Sequence, residues 1–272
     1  RMLRAAKVAR VGARLAPVMA RSSSLHTLVD TPRALVAYMP VGPFQMNQYV
    51  VGCKATGQAA IVDAGSDSKE FLSFLKQHNM EVVKLLQTHA HIDHIAGLKE
   101  TYEQTQAPIH LHEDDLVWYN AADEQPTVTH PIRSTRVLFA KLLVFAASMF
   151  GMPLEQPPPP HVFLKDGDEI HVGDLRFEVI HVPGHCPGQV VLYEKDDGFC
   201  FVGDLLFQGS IGRTDFPYCD GKAMVASLKR IMQLPDAVRV FAGHMGDTTI
   251  GTERISNPFL VGMLPDEGRA RL

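Results

Sequence analysis

One short segment, residues 88–94 with the sequence THAHIDH, constrains this chain more than any other part of it. It follows a mostly apolar run that is short enough to be a buried strand. Because side chains two positions apart on an extended chain point the same way, His89 and His91 can bind one metal ion through two imidazoles. Asp93 and His94 lie at the following turn, where they can face a second ion. Imidazole and carboxylate donors together suit zinc or iron.

Three further residues with metal-binding side chains lie where later predicted strands end: His185, Asp204 and His244. A glycine stands directly before each of them, and glycine allows the backbone bends that can aim the next side chain inward. The carboxylate of Asp204 can bridge two cations. Functional residues are expected in such loops, because a rigid scaffold positions them there. The sequence therefore predicts a site in which these residues and the segment 88–94 bind two metal ions.

Short β-type runs alternate with polar breaks and helical patterns in two halves of the chain. The first half predicts strands at 34–39, 48–53, 59–62, 82–86 and 108–111, with helices at 68–78 and 93–104. The second half predicts strands at 168–172, 175–182, 189–193, 199–202 and 238–241, with a helix at 222–234. A further helix is predicted at 134–150. Because the two halves have a similar content of strands and helices, we predict an α+β fold. Its architecture would be an αβ/βα sandwich of two mixed sheets with external helices.

The charge of the chain is unevenly distributed, although its net value is only −4. Residues 1–24 contain six basic residues and no acidic one, so the remainder of the chain carries −10. This segment is amphipathic and rich in arginine, which is typical of a mitochondrial transit peptide, with a disordered basic arm as the alternative. We therefore expect residues 1–24 to direct the protein to the mitochondrial matrix and residues 25–272 to form the folded domain.

Composition argues against several classes of protein. With 46% hydrophobic and 21% charged residues, the chain is too apolar to be disordered. Its most membrane-like stretch, residues 137–150, is too short to cross a bilayer and contains Lys141, so no transmembrane segment is expected. Residues 25–272 carry a net charge of −10 and therefore lack the basic surface that binding to nucleic acids requires. The four cysteines show no CxxC spacing, which fits a reducing compartment.

In this order the seven residues resemble the metallo-β-lactamase superfamily, whose pattern is HxHxDH followed by His, Asp and His. The resemblance implies a metallo-β-lactamase-like domain over residues 25–272. It implies a first metal ion on His89, His91 and His185, a second on Asp93, His94 and His244, and Asp204 bridging both. Residues 203–217 and 253–260 are similar to the single-domain glyoxalase II-like, or hydroxyacylglutathione hydrolase-like, proteins. The β-lactamases proper lack the bridging aspartate.

The resemblance implies a hydrolase of thioesters, with S-lactoylglutathione or a related acyl-thiol as substrate. Two divalent ions, zinc or alternatively iron or manganese, would share a water and lower its pKa toward neutrality, so that a bridging hydroxide attacks the carbonyl. Asp204 and Asp93 are the expected catalytic residues, and a protonated Asp93 would assist departure of the thiolate. Arg213 is the expected contact for an acidic substrate, with an ion pair to Asp215 as the alternative. The sequence does not identify the acyl group or the carrier thiol of the substrate.

Two other functions remain as alternatives. A persulfide dioxygenase of the same superfamily would hold one iron on His89, His185 and Asp204. A structural subunit of a mitochondrial complex would keep the metal site and contribute mainly structure. Assembly into a homo-oligomer also stays open.

Several residues have weaker signals than the seven ligands. Cys186 is expected to pack rather than to bind a metal ion. Asp63 is expected to organise the turn below the site by accepting hydrogen bonds from backbone amides. His112 and His181 have no ligand-like context, so we expect structural or solvated roles for them.

Overall fold

Two β-sheets lie face to face in the computed structural model, which describes residues 25–120 and 155–263. The strands of the first sheet are β1 His26–Asp30, β2 Ala34–Val41, β3 Met46–Cys53, β4 Gln58–Val62, β5 Glu81–Leu86, β6 Ile109–His112 and β7 Val162–Leu164. They lie in sequence order, so each strand pairs with the next one along the chain. Pairing is antiparallel from β1 to β4 and parallel from β4 to β7, which makes the sheet mixed.

The second sheet is also mixed. Its strands are β8 Glu169–Val172, β9 Leu175–His181, β10 Val190–Glu194, β11 Phe199–Gly203, β14 Arg239–Ala242 and β15 Thr248–Thr249. Their order is β15-β14-β11-β10-β9-β8, with β11 and β14 parallel and the other pairs antiparallel. A short hairpin of β12 Leu206–Phe207 and β13 Ser210–Ile211 follows β11.

Helices cover the outer faces of the two sheets. They are α1 Lys69–Gln77, α2 Ile92–Ile95, α3 Leu98–Thr105, α4 Leu116–Tyr119, α5 Gly221–Ile231, α6 Ile250–Ser256 and α7 Pro258–Val261, with a 3₁₀ turn at Glu113–Asp115. The start of α5 shows why a helix forms there. The side chain of Asp220 accepts hydrogen bonds from the amides of Lys222 and Ala223, which satisfies donors that a helix N-terminus leaves free.

The core has three layers, because each sheet buries both of its faces. Strand β9 buries alternate residues, and its inner side chains join a cluster between the sheets that includes Val36, Val51, Val62, Phe177, Phe199, Phe201 and Phe241. Phe71 and Leu75 of α1 pack on the outer face of the first sheet. Leu228 and Ile231 of α5 pack on the outer face of the second sheet. The predicted αβ/βα sandwich is therefore confirmed.

Loops at one edge of this sandwich are tied together by hydrogen bonds between the sheets. The hydroxyl of Tyr49 on β3 donates to the carbonyl of Ala242 at the end of β14, at 2.7 Å. The backbone amide of Asn47 donates to the carbonyl of Gly243, also at 2.7 Å. These bonds hold the carboxyl end of β14 against the first sheet. The parallel strands β4, β5 and β6 end together, as parallel strands in one sheet do.

Two features of the fold differ from the sequence prediction. The single helix expected at 93–104 is two helices, α2 and α3, separated at Gly97. The amide of Gly97 donates to the carbonyl of Ala64 at 2.9 Å, and a Cβ at this position would overlap the backbone of Ser66, so only glycine allows this close approach. Several short elements were also not expected: strands β1, β7, β12, β13 and β15 and helices α4, α6 and α7.

Some predictions concern parts of the chain that the structure does not cover. The helix expected at 134–150 and the basic segment 1–24 both lie outside the described residues. Among residues 25–120 and 155–263, no helix has the length and hydropathy needed to span a membrane.

Candidate metal centre

The seven predicted ligands come from four separate segments, each of which follows a strand, and the first of these segments runs into helix α2, where Asp93 and His94 lie. The segment 88–94 follows β5, His185 lies in the loop from β9 to β10, Asp204 follows β11, and His244 follows β14. The structure brings all seven side chains to the edge of the sandwich that the Tyr49 and Asn47 bonds tie together.

One group of donors is formed by the three histidines predicted to hold the first ion. Nδ1 of His91 lies 2.9 Å from Nε2 of His185. The rings of His89 and His91 are 4.9 Å apart, and those of His89 and His185 are 5.2 Å apart, with near-perpendicular planes. Three imidazoles therefore converge on one point, as the ligands of a tetrahedral metal site do.

The second group is formed by the aspartate and two histidines predicted to hold the second ion. Nε2 of His244 lies 3.1 Å from Oδ2 of Asp93. Nε2 of His94 lies 4.0 Å from the same carboxylate oxygen. Asp93 and His244 are partly exposed while His94 is fully buried, so this group faces the open side of the site.

Asp204 lies between the two groups. Its Oδ1 is 3.4 Å from Nε2 of His94, and its Oδ2 is 3.6 Å from the Nε2 atoms of both His185 and His244. One carboxylate thus faces donors of the first group and donors of the second. This is the arrangement expected of a ligand that bridges two ions.

Unsatisfied polar atoms provide a direct test of whether metal ions fit this site. Nε2 of His89, Nε2 of His94 and Oδ1 of Asp204 are buried, yet none of them has a hydrogen-bond partner. Buried polar atoms are normally paired, because leaving one unpaired costs about 1–3 kcal/mol. All three atoms point into the cluster of ligands, so cations would satisfy them. The residues present therefore fit a metal site whose nitrogen and oxygen donors suit zinc or iron.

The electrostatics of the first group favour neutral imidazoles. Burial, together with the imidazoles of neighbouring histidines, lowers the pKa of His89 well below its usual value. Burial also lowers the pKa of His91 to about 3 and lowers the pKa of His185. A neutral imidazole has a free lone pair, so these three side chains are in the form that binds metal ions.

In the second group, nearby carboxylates raise the pKa values of the histidines, whereas burial lowers those of the first group. Burial alone would lower the pKa of His94, but three carboxylates, Asp204 first among them, raise it well above its usual value. The pKa of His244 is also raised, since its contacts with Asp93 and Asp204 outweigh burial. Burial alone would raise the pKa of Asp204, but nearby imidazoles hold it well below its usual range. The carboxylates of Asp93 and Asp204 therefore stabilise positive charge on His94 and His244, and a bound cation would take the place of the protons on these two imidazoles.

Two ligand imidazoles are held by an aspartate and a threonine outside the ligand set. Asp63 accepts three hydrogen bonds, from the amide and hydroxyl of Thr88 at 2.7 Å each and from Nδ1 of His94 at 2.9 Å. Because the Thr88 hydroxyl already donates to Asp63, it accepts from Nδ1 of His89 at 3.1 Å. Both rings therefore keep their Nε2 atoms free for a metal ion. The amide that bonds Asp63 is 25 residues away in the chain, whereas a nearby amide was expected, and the bond to His94 was not foreseen.

The other two imidazoles of the first group are held by a backbone carbonyl and a thiol. Nδ1 of His185 donates to the carbonyl of Arg213 at 2.9 Å. Nε2 of His91 lies 3.3 Å from Sγ of Cys186. That nitrogen is on the opposite side of the ring from the one that faces His185. Cys186 is buried, and its Sγ lies within 4.8 Å of donor atoms of His89, His91 and His185, so the structure also groups it with the possible ligands of the first ion. The packing role expected for Cys186 stays a prediction.

The side chain of Arg213 forms an ion pair. Its guanidinium bonds both oxygens of Asp215, at 2.7 and 2.8 Å, and lies 3.6 Å above the centre of the Phe216 ring. Both charged side chains are more than half exposed, so the pair is accessible to solvent and screened by it. Of the two roles predicted for Arg213, the structure shows the ion pair. Contact with a substrate stays a prediction.

Sequence reasoning missed two residues that support the centre. The side-chain amide of Asn47 donates to the carbonyls of Ala242 and Met245, which flank His244, at 3.1 and 2.8 Å. The carboxylate of Asp115 accepts from the amides of Ala90 and Gly188, at 2.8 and 2.6 Å. Asp115 follows β6, whose end lies beside that of β5, and an acidic residue at this edge was the signal available in the sequence.

The structure also brings together two histidines for which the sequence indicated no partner. The rings of His112 and His181 are stacked, with centres 4.0 Å apart, and Asp114 lies close enough to form a group of possible metal donors. One nitrogen of each ring is already engaged, because His112 accepts from the amide of Asp114 and His181 bonds the carbonyl of Pro187. The structural or solvated roles expected for these two histidines stay a prediction.

Comparison with known proteins gives one family. A family model described as the metallo-beta-lactamase superfamily matches residues 41–244. The protein named hydroxyacylglutathione hydrolase GloC, from Haemophilus influenzae, is 30% identical over 228 residues, covering 83% of this chain and 97% of that protein.

Solved structures agree with this result. The crystal structure of BLEG-1 B3 metallo-beta-lactamase has a TM-score of 0.69 and 32% identity, covering 84% of this chain and all of that one. The crystal structure of TTHA1623 in a di-iron-bound form has a TM-score of 0.66 and 35% identity, covering 81% of this chain and 98% of that one.

Proposed function

This chain belongs to the metallo-β-lactamase superfamily, and on that basis we propose that it is a hydrolase of thioesters that works with two metal ions. The proposed substrate is S-lactoylglutathione or a related acyl-thiol. The position of Asp204 is the observation that carries the proposal. Its carboxylate lies 3.6 Å from Nε2 of His185 in the first group, and 3.4 and 3.6 Å from Nε2 of His94 and His244 in the second group, which suits a ligand shared by two ions.

Seven side chains would hold the two ions. His89, His91 and His185 would hold the first, Asp93, His94 and His244 the second, and Asp204 would contact both. When bound, such a pair of ions supplies a water that ionises near neutral pH and positive charge for an oxyanion. Zinc and iron both suit these donors, and the di-iron form of one similar structure supports iron as a candidate.

The residues of the chain orient the ligand imidazoles, and one of them, Asp93, carries a proton. The outer hydrogen bonds of the site engage the Nδ1 atoms of His89 and His94, so their Nε2 atoms are turned toward the site before a substrate arrives. Burial alone would raise the pKa of Asp93, but the imidazoles of His94 and His244 lower it overall. Asp93 is therefore ionised, and in the proposed reaction it takes a proton from the attacking water and passes it to the departing sulfur.

Support for a thioester comes from the similar proteins rather than from the site geometry. The relative from Haemophilus influenzae is named a hydroxyacylglutathione hydrolase. A thiolate is a good leaving group and needs little acid catalysis, so the single proton carried by Asp93 would be sufficient for its departure. We propose that Arg213, which is accessible, exchanges Asp215 for an acidic group of the substrate. Location in mitochondria is part of the proposal and is supported by residues 1–24 alone.

The test combines metal content with turnover on one preparation. We expect about two ions per chain and hydrolysis of S-lactoylglutathione in the unmodified protein. Asp204→Ala should lose at least one ion and the activity together, because the shared ligand is removed. Asp196→Ala is the matched control, since Asp196 is an exposed aspartate that pairs with Arg33 and Arg176.

Three results would count against the proposal. Full activity in Asp204→Ala would contradict the role of the shared carboxylate. A single iron with oxygen consumption would favour the persulfide dioxygenase, and metal without any turnover would favour the structural subunit. A chromogenic cephalosporin belongs in the same assay, because one similar structure is titled a metallo-beta-lactamase.

A further inference from the structure

Asp115 is a buried aspartate that lies outside the set of metal ligands. It ends the 3₁₀ turn after β6 and is completely inaccessible to solvent. Its Oδ2 accepts from the amide of Ala90 at 2.8 Å, and its Oδ1 accepts from the amide of Gly188 at 2.6 Å. In the described residues it forms no salt bridge, so these two amides are its polar partners. A carboxyl group with no cation beside it is costly to bury, which calls for a reason other than ion pairing.

The two amides belong to the two segments that carry the first group of ligands. Ala90 stands between His89 and His91, and Gly188 is three residues beyond His185. These segments come from distant parts of the chain. One backbone hydrogen bond joins them directly, from the amide of Val190 to the carbonyl of Thr88 at 2.8 Å. Asp115 adds one bond to each segment and so provides a further link between them.

The contact with Gly188 requires close approach of the two backbones. A Cβ on Gly188 would lie 2.6 Å from the amide nitrogen of Asp115 and 2.9 Å from its Oδ1. Real Cβ atoms essentially never come so close to a backbone atom, so only glycine allows this packing. The glycine and the carboxylate are therefore fitted to each other, and the loop after His185 is held in one position.

We propose that Asp115 is a positioning residue for the first metal ion, because its carboxylate fixes the segment of His89 and His91 relative to the segment of His185. This inference rests on the proposed metal centre. The 2.9 Å separation between Nδ1 of His91 and Nε2 of His185 depends on the relative position of the two segments. Loss of either Asp115 bond frees one segment to shift, and first-ion affinity falls.

The test is Asp115→Asn, which preserves the shape of the side chain. Asparagine keeps one acceptor oxygen and replaces the other with an amino group, which would face a backbone N–H and repel it. We expect a 10- to 100-fold loss of first-ion affinity, the range that is usual when an outer hydrogen bond of a metal site is removed. The affinity is measured by competition with a chelator, and the visible spectrum of bound cobalt reports the ligand geometry.

A matched control separates positioning from general stability. Leu75→Ala removes a buried side chain of α1 and should lower the melting temperature while leaving first-ion affinity and the cobalt spectrum unchanged. Hydrogen exchange of metal-free protein gives a readout that needs no metal. The amides of residues 90 and 188 should exchange faster in Asp115→Asn and at the normal rate in Leu75→Ala.

The outcomes can be told apart. Normal first-ion affinity and a normal cobalt spectrum in Asp115→Asn would overturn the inference and leave the proposed function intact. An equal loss of affinity in Leu75→Ala would also overturn it, because the effect would then follow from stability. A wild-type protein that binds no metal would overturn the inference together with the proposed function.

Discussion

Replacement of Asp63 by asparagine tests how the protein sets the protonation of its metal ligands. Asp63 follows β4, is buried, and accepts hydrogen bonds from the Thr88 amide, the Thr88 hydroxyl and Nδ1 of His94. Asparagine has only one acceptor oxygen. That oxygen must stay opposite the Thr88 amide, because a backbone N–H can only donate. The new amino group therefore takes the place of Oδ2.

This exchange reverses the direction of two hydrogen bonds. The amino group donates to Nδ1 of His94, so the ring keeps its proton on Nε2, the atom that lies 3.4 Å from Asp204. A protonated nitrogen cannot bind a metal ion. The amino group also donates to the Thr88 hydroxyl, which is then free to donate to Nδ1 of His89. One atomic replacement thus places protons on ligand nitrogens of both groups.

The expected loss is 10- to 100-fold in the affinity for each ion, or about 1.4–2.8 kcal/mol, because outer hydrogen bonds of metal sites have effects of this size. Affinity is measured by competition with a chelator, and metal-free stability by urea unfolding. Asp67→Asn is the control, since Asp67 lies in the same loop but bonds the exposed Lys69. If Asp63→Asn bound both ions with normal affinity, the assignment of protons argued above would be wrong.

Two other substitutions test the site and the core. Gly243→Ala should lose at least one ion, because the new methyl group would overlap Oδ1 of Asp204, whereas Gly262→Ala, with open space at its Cβ, should keep both ions in a metal-content assay. Phe241→Ala should lower the free energy of unfolding by about 3–5 kcal/mol in urea, since the ring is buried between the sheets. Phe259→Ala, on an exposed ring, should change it by about 0.5 kcal/mol or less, and a similar loss in both variants would contradict the packing argument.

Local patterns in the sequence predicted most of the fold, because strand alternation and helix periodicity are local properties. Strand β9 illustrates this over residues 175–179, where buried Leu175, Phe177 and Val179 alternate with two exposed residues as the sequence predicts. The break between α2 and α3 could not be predicted in the same way. Gly97 interrupts the helix because it packs against Ser66, and that contact depends on the tertiary fold.

The ligands were easier to predict than the residues that hold them. Four candidate ligands lie within residues 88–94, and the other three each follow a glycine at a strand end, so chemistry and position coincide. Asp63 and Asp115 are also at strand ends, but their partners are 25 or more residues away in the chain. Spacing alone does not show that an aspartate accepts from an imidazole or from two amides. Only the packed sheets bring those groups into contact.

Arg213 contributes an atom to the metal centre that the sequence did not indicate. The sequence drew attention to its guanidinium, which the structure pairs with Asp215 at the surface. Its contribution to the metal centre is instead its backbone carbonyl, which accepts from Nδ1 of His185. Any residue at this position supplies that carbonyl, so the metal centre does not depend on the arginine side chain. Changes in substrate use on replacing the guanidinium would therefore report on the substrate, and the first ion would stay in place.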